Sequence, residues 1–257
     1  MDNPAPSMLI QNKALAFTAF PIYEEYLRQP TQLCMRLRQR AGEVRLSADD
    51  QSYFSTYPDF LHFVALISEE TPDSWIVPPI WARIAQASPR FSLRIATDTE
   101  NLSALAFLLD ESNMPAFLEE LVLPALFVFD EEWNLQAQWG PHPQNFFTIL
   151  DSWLAEYPEY ERLTESDDPA DIAAYTILAE QLAGEMRVWY NDSLNRECAG
   201  EIRLLLARLT EESAETEPGS EGGADIESAD DDSVADNGSD AGAEDNGEDD
   251  TSEENEL

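Results

Sequence analysis

Residues 61–85, LHFVALISEETPDSWIVPPIWARIA, set a strand, a short turn and a proline-marked helix in a row. Leu61 to Ile67 holds one polar residue, His62, among apolar and β-branched neighbours. That predicts a strand buried on both faces. Glu69 to Ser74 breaks the run. Ile76, Ile80 and Ile84 then recur at spacings of four with Val77 and Trp81 beside them, which predicts an apolar stripe on a helix. Asp73 and Ser74 are expected to cap its first turn. Pro78 and Pro79 lack an N–H, so the helix is expected to bend there.

Downstream, Phe91 to Thr97 reads as a second strand, Glu100 to Asp110 as a helix and Ala125 to Asp130 as a third strand. The short turn Asp130 to Asn134 leads into Leu135 to Trp139, a spacing that predicts an antiparallel hairpin. Pro143 is expected to open a final helix through Phe146, Ile149, Trp153 and Leu154. The whole is an α/β fold, a mixed sheet with helices on both faces.

These stretches resemble the thioredoxin-like family, and within it the bacterial group with a Trp-Cys-Gly-Asp site and a Trp-Gly-Pro-Arg-Pro segment. Aligned on Pro79, the post-site helix fits Pro79 to Ala85, and Trp-Cys-Gly-Asp falls on Glu70-Thr71-Pro72-Asp73. Asp98, Glu100 and Asn101 fit an Asp-Glu-Asn after the second strand. Trp139-Gly140-Pro141-His142-Pro143 fits the second motif with His142 in place of Arg, and Trp189, Tyr190 and Glu201 match the closing helical segment. The resemblance covers roughly residues 20–210. It implies a thioredoxin-like core over residues 59–158, helical extensions at 1–58 and 159–210, and a cis-proline at Pro124 facing the site.

The departures bear on function. Thioredoxin chemistry needs a thiolate and, in its two-cysteine form, a second thiol three positions on. Thr71, Pro72, Asp73 and Ser74 keep the spacing without sulfur, so the site reads as degenerate, with no catalytic residue assigned. A hydroxyl nucleophile would need a base. The two histidines, His62 and His142, read as a strand residue and a turn residue. Cys34 and Cys198 lie far apart, with no CxxC and no metal-ligand spacing. Two cysteines, no long apolar run and no signal-like start lead to the expectation of a cytoplasmic protein without cofactor, metal or membrane contact.

Outside the core, residues 1–58 read as short helices, one with Leu33 and Leu37 on one side and Arg36, Arg38 and Arg40 opposite. These arginines are expected to pair with the chain's own carboxylates. Residues 169–209 give two more helices, too short to stand alone. The 47 residues from Glu211 hold 20 Asp or Glu, no Lys or Arg and no aromatic residue, and are expected to be disordered. The remaining 32 carboxylates still outnumber 14 basic residues, which argues against nucleic-acid binding.

Three functions fit. The first is a redox-inactive protein or peptide binder, with a groove between Thr71 to Trp75 and Val122-Leu123-Pro124, edged by Trp139, as the resemblance implies. The second is a thiol-dependent oxidoreductase using Cys34 or Cys198, or a glutathione-binding enzyme with Arg83, Arg90 and Arg94 as anion anchors. The third is an interaction or solubility protein driven by its acidic tail, which would suit a basic partner.

Overall fold

In the computed structural model, residues 6–69 and 71–216 are described. Four helices come first: α1 (Pro6–Thr18), α2 (Tyr23–Tyr26), α3 (Gln32–Ala41) and α4 (Ala48–Thr56). The core follows as β1 (Leu61–Ile67), α5 (Asp73–Ile76), α6 (Pro78–Ala87), β2 (Phe91–Thr97), α7 (Leu102–Leu109), α8 (Met114–Glu120), β3 (Ala125–Phe129), β4 (Leu135–Trp139) and α9 (Phe146–Glu156). The chain closes with α10 (Glu159–Thr164), α11 (Pro169–Trp189), a π-helical turn (Tyr190–Leu194) and α12 (Asn195–Thr216). No described helix is long and apolar enough to cross a membrane.

The sheet runs β2-β1-β3-β4. β1 pairs parallel with β2 and antiparallel with β3, and β3–β4 is the expected hairpin. Because side chains alternate along a strand, β1 feeds two cores. Phe63, Ala65 and Ile67 face one, with α3, α4, α5, α6, α11 and α12; Val64 and Leu66 face the other, where Phe17, Phe20, Leu105, Leu108 and Met114 pack. The central strand is therefore sealed on both sides, and both helical extensions share a core with the sheet.

Several boundaries differ from the sequence reading. Pro78 and Pro79 do not bend one helix but open a new one, α6, after a break at Val77, because their missing N–H groups cost nothing in a first turn. Pro143 precedes α9 by three residues, and the helix starts at Phe146, whose N–H reaches Pro143 O at 3.0 Å. The acidic stretch expected from Glu211 is helical through Thr216, since Glu and Ala propagate an existing helix readily; beyond that it lies outside the described residues. α1, α8 and α10 escaped prediction. α1 is docked by Lys13, whose ammonium bonds Asp110 at 2.7 Å and Leu108 O at 3.3 Å at the end of α7.

Arg40 was expected opposite the apolar side of α3 but is fully buried, because α11 and α12 cover that side too. Its guanidinium donates to Asn191 and Asn195 and faces Glu43, which in turn pairs with Arg187. The Arg187 bond draws the Glu43 carboxyl below its ordinary range. Arg36 does pair outward as expected, with Glu180 at 2.6 Å.

The Leu123–Pro124 and Gly140–Pro141 peptides are both cis. Gly140 has φ +128°, and a Cβ there would lie 2.5 Å from Pro124 O. Conformation and space thus both demand glycine. Gly140→Ala should lower unfolding free energy by about 1–3 kcal/mol or more. Gly184→Ala, in the open on α11 with nothing within 4 Å, should raise it by about 1 kcal/mol. Urea titration of the two variants checks both signs.

Candidate functional site

The turn after β1 is held by its own hydroxyls. The Ser68 N–H donates to Ser74 Oγ at 3.0 Å, and Ser74 Oγ lies 2.7 Å from Thr71 Oγ1. Ser74 is buried, while Thr71 and Pro72 are partly reachable. Neither Asp73 nor Ser74 caps a helix as expected: Pro72 is the flanking residue, with helical backbone and no side-chain cap bond. Ser74 instead takes up the amide leaving the strand, and Asp73 is released to face elsewhere.

Asp73 faces His142. Its Oδ1 stands 3.4 Å from His142 Nε2 without hydrogen-bond alignment, so that buried oxygen has no bonded partner. The other ring nitrogen, Nδ1, lies 2.8 Å from Tyr190 Oη. The imidazole stacks on Phe146 with centroids 3.6 Å apart, and its side chain is 6% exposed. His142 is thus far more than the turn residue that the sequence suggested: it joins the turn to the C-terminal helices. The π-helical turn supplies Tyr190 to it and Asn191 to Arg40. Burial drives the Tyr190 phenol well above its ordinary pKa, so it is neutral at any physiological pH.

A second joint lies next to it. The Glu201 carboxylate accepts the Trp139 indole N–H at 3.0 Å and the Gln144 amide at 2.8 Å. Trp139 also meets Trp81 edge to face at 6.0 Å and is 8% exposed. Trp75, Trp81 and Trp139 are therefore core residues, and Trp75 carries the Arg36 guanidinium 5.4 Å from its ring.

Pro124 lies one residue beyond the Leu66–Ala125 pair, beside the exit of β1 into the turn. Before it, Val122 is 65% exposed, and among the described residues no backbone hydrogen bond engages Val122 or Leu123. The turn itself borders two clefts. One, about 290 Å³, runs from Thr71, Pro72 and Trp75 to Arg36 on α3 and Tyr175 and Glu180 on α11. The other runs from Pro72 and Asp73 to α9, α10 and α11. Pro124 lines neither, so the C-terminal extension, unforeseen as a wall, shapes the surroundings of the turn.

Cys34 and Cys198 are free and buried. The Cys34 thiol donates to Tyr26 O at 3.2 Å, and burial pushes the Cys198 thiol well above its ordinary pKa, away from the reactive thiolate. Arg83, Arg90 and Arg94 bond the carbonyls of Ala41, Pro58 and Phe20, so these candidate anion anchors hold the scaffold together. Among the described residues no group of His, Cys, Asp and Glu is placed to hold a metal.

A mixed four-stranded sheet, a cis-proline beside the β1 exit and a turn that pairs the hydroxyls of Thr71 and Ser74 define a thioredoxin-fold protein. The family profile described as Thioredoxin matches residues 21–154, and the chain belongs to that family. Comparison with proteins of curated description finds no match. Two solved structures align. An HIV epitope scaffold shares 14% identity, with 76% of this chain and 97% of that one covered, at a TM-score of 0.47. A protein of unknown function from Pseudomonas aeruginosa shares 16%, with 78% and 97% covered, also at 0.47.

Glu201→Gln would turn an amide NH₂ against one of two donors, Trp139 Nε1 or the Gln144 amide. It should cost about 1–3 kcal/mol, the scale for a polar group left without its partner. The urea midpoint, followed by tryptophan fluorescence, reads the loss.

Proposed function

We propose that this protein is a redox-inactive member of the thioredoxin family that binds an extended segment of a partner protein. The observation that carries the reading is the Thr71–Ser74 hydroxyl pair at 2.7 Å, at the two positions that the resemblance assigns to sulfur. A hydroxyl neither forms a disulfide nor ionises near neutrality, so thiol exchange has no starting point there. The chain's two thiols are sealed in the core and supply no substitute.

Binding is supported by the segment before Pro124. Val122 is exposed, and the backbone groups of Val122 and Leu123 are unspent within the described residues. A strand of a partner can pair with such groups, with side-chain fit adding selectivity. The surplus of 38 negative charges favours a partner with positive charge. Membrane and nucleic acid are disfavoured by the same repulsion.

In an insulin-disulfide reduction assay with a reductase system, the natural chain should show no turnover above background. Thr71→Cys with Ser74→Cys should create an oxidisable pair, seen as the loss of two titratable thiols on mild oxidation. Turnover by the natural chain would sink the inert-site reading. A photoreactive residue at Val122 should crosslink a partner that one at Val188, equally exposed on α11, does not; equal labelling would remove the groove.

A further inference from the structure

The cleft on the far side of Asp73 is built differently from the partner surface. It has a volume of about 250 Å³, at the small end for ligand sites, and its walls are Phe146, Leu150 and Leu154 from α9 with Leu182 and Met186 from α11. Its polar lining is two carboxylates, Asp73 and Glu161, with His142, Tyr160 and Thr164, and holds no Lys or Arg. No protein donor is bonded to Asp73 Oδ1, and the facing His142 Nε2, at 3.4 Å, is out of hydrogen-bond alignment. Oδ1 itself is buried, but the Asp73 side chain as a whole is 23% exposed and lines the cleft, so an incoming group meets it from that side. His142 cannot turn to serve it better, because its ring is clamped by Phe146 and its Nδ1 is committed to Tyr190.

An apolar chamber ending in a carboxylate that no protein donor bonds at Oδ1 selects its occupant by charge. Beside low-dielectric walls a carboxylate attracts a cation more strongly than it would in water. An anionic ligand would meet two like charges. A neutral apolar one would fill the chamber and leave Asp73 desolvated without a partner, at a cost. The net charge of −38 also raises the local concentration of cations. We propose that this cleft binds a small organic amine, with an apolar body of about one ring against α9 and α11 and a protonated head on Asp73. The site is independent of the partner-binding reading, and either can fail without the other.

The test uses the full chain at about 0.15 M salt, where long-range attraction to the acidic surface is largely screened. Phenethylamine, 2-phenylethanol and phenylacetate share a body and differ in the head. By calorimetric titration, phenethylamine should bind saturably at one site and raise the melting temperature. The alcohol and the acid should bind at least about tenfold more weakly, the scale for loss of a charge-assisted bond. Asp73→Asn should lose at least tenfold in affinity for the amine. Thr164→Arg, at an exposed position on the cleft wall, should do the same by placing a competing cation there, and it decides the matter if Asp73→Asn does not fold. No saturable binding, equal affinity for the alcohol, or undiminished affinity in the folded variants would overturn the proposal. The last result would show general attraction of amines to an acidic protein.

Discussion

The carboxylate of Glu201 joins the C-terminal extension to the loop after β4. It takes one N–H from the Trp139 indole and one from the Gln144 backbone, on either side of the loop that carries Gly140 and His142. Through Gly140 that loop lies against Pro124; through His142 it reaches Asp73 in the turn. α12 therefore fixes, by two hydrogen bonds, a loop that touches both sides of the place where thioredoxins do chemistry. A carboxylate is suited to this because it offers acceptors alone, and both of its neighbours are donors.

The turn at 71–74 is tied into the scaffold around it. Ser74 has taken a structural duty, receiving the amide that leaves β1, and Thr71 bonds to it. Asp73 is turned toward His142 and the apolar cleft beneath α9. The buried Arg40 guanidinium, bonded to the buried Asn195 and to Asn191 nearer the surface, anchors the same C-terminal helices to α3. Leaving any of these partners unpaired in the interior costs more than the bond itself is worth, so the groups stand or fall together.

The sheet was legible in the sequence because its signals are local. An apolar run such as Leu61 to Ile67, the Asp130 to Asn134 turn and the isoleucines at spacings of four each state their structure within a few residues. Of the candidate site, the turn at Thr71 to Ser74 was legible as a break after β1, and the cis peptide at Pro124 followed from the resemblance. What escaped depends on distant partners. His142 meets Tyr190 across 48 residues and Arg40 meets Asn195 across 155, and no local pattern announces either. Arg40 was misread because a helix with one apolar side predicts an exposed other side, and here a second layer covers it. Asp73 and Ser74 were misread as caps because cap residues are recognised by type, and type does not say which way a side chain turns. Trp139 was placed at a groove edge, but it is held inward by a residue 62 positions away.

The arrangement of Glu201, Tyr190 and His142 also orders events during synthesis. Chains leave the ribosome from the N-terminus, and structure can form as they emerge. The sheet can assemble once β4 has been released, but the indole of Trp139 and the ring of His142 wait for residues translated about fifty to sixty positions later. A chain halted before Tyr190 would hold the strands without the partners of Trp139 and His142 and without the part of the core that α12 supplies. The ribosome thus delivers the strands first and the residues that lock the loop after β4 last.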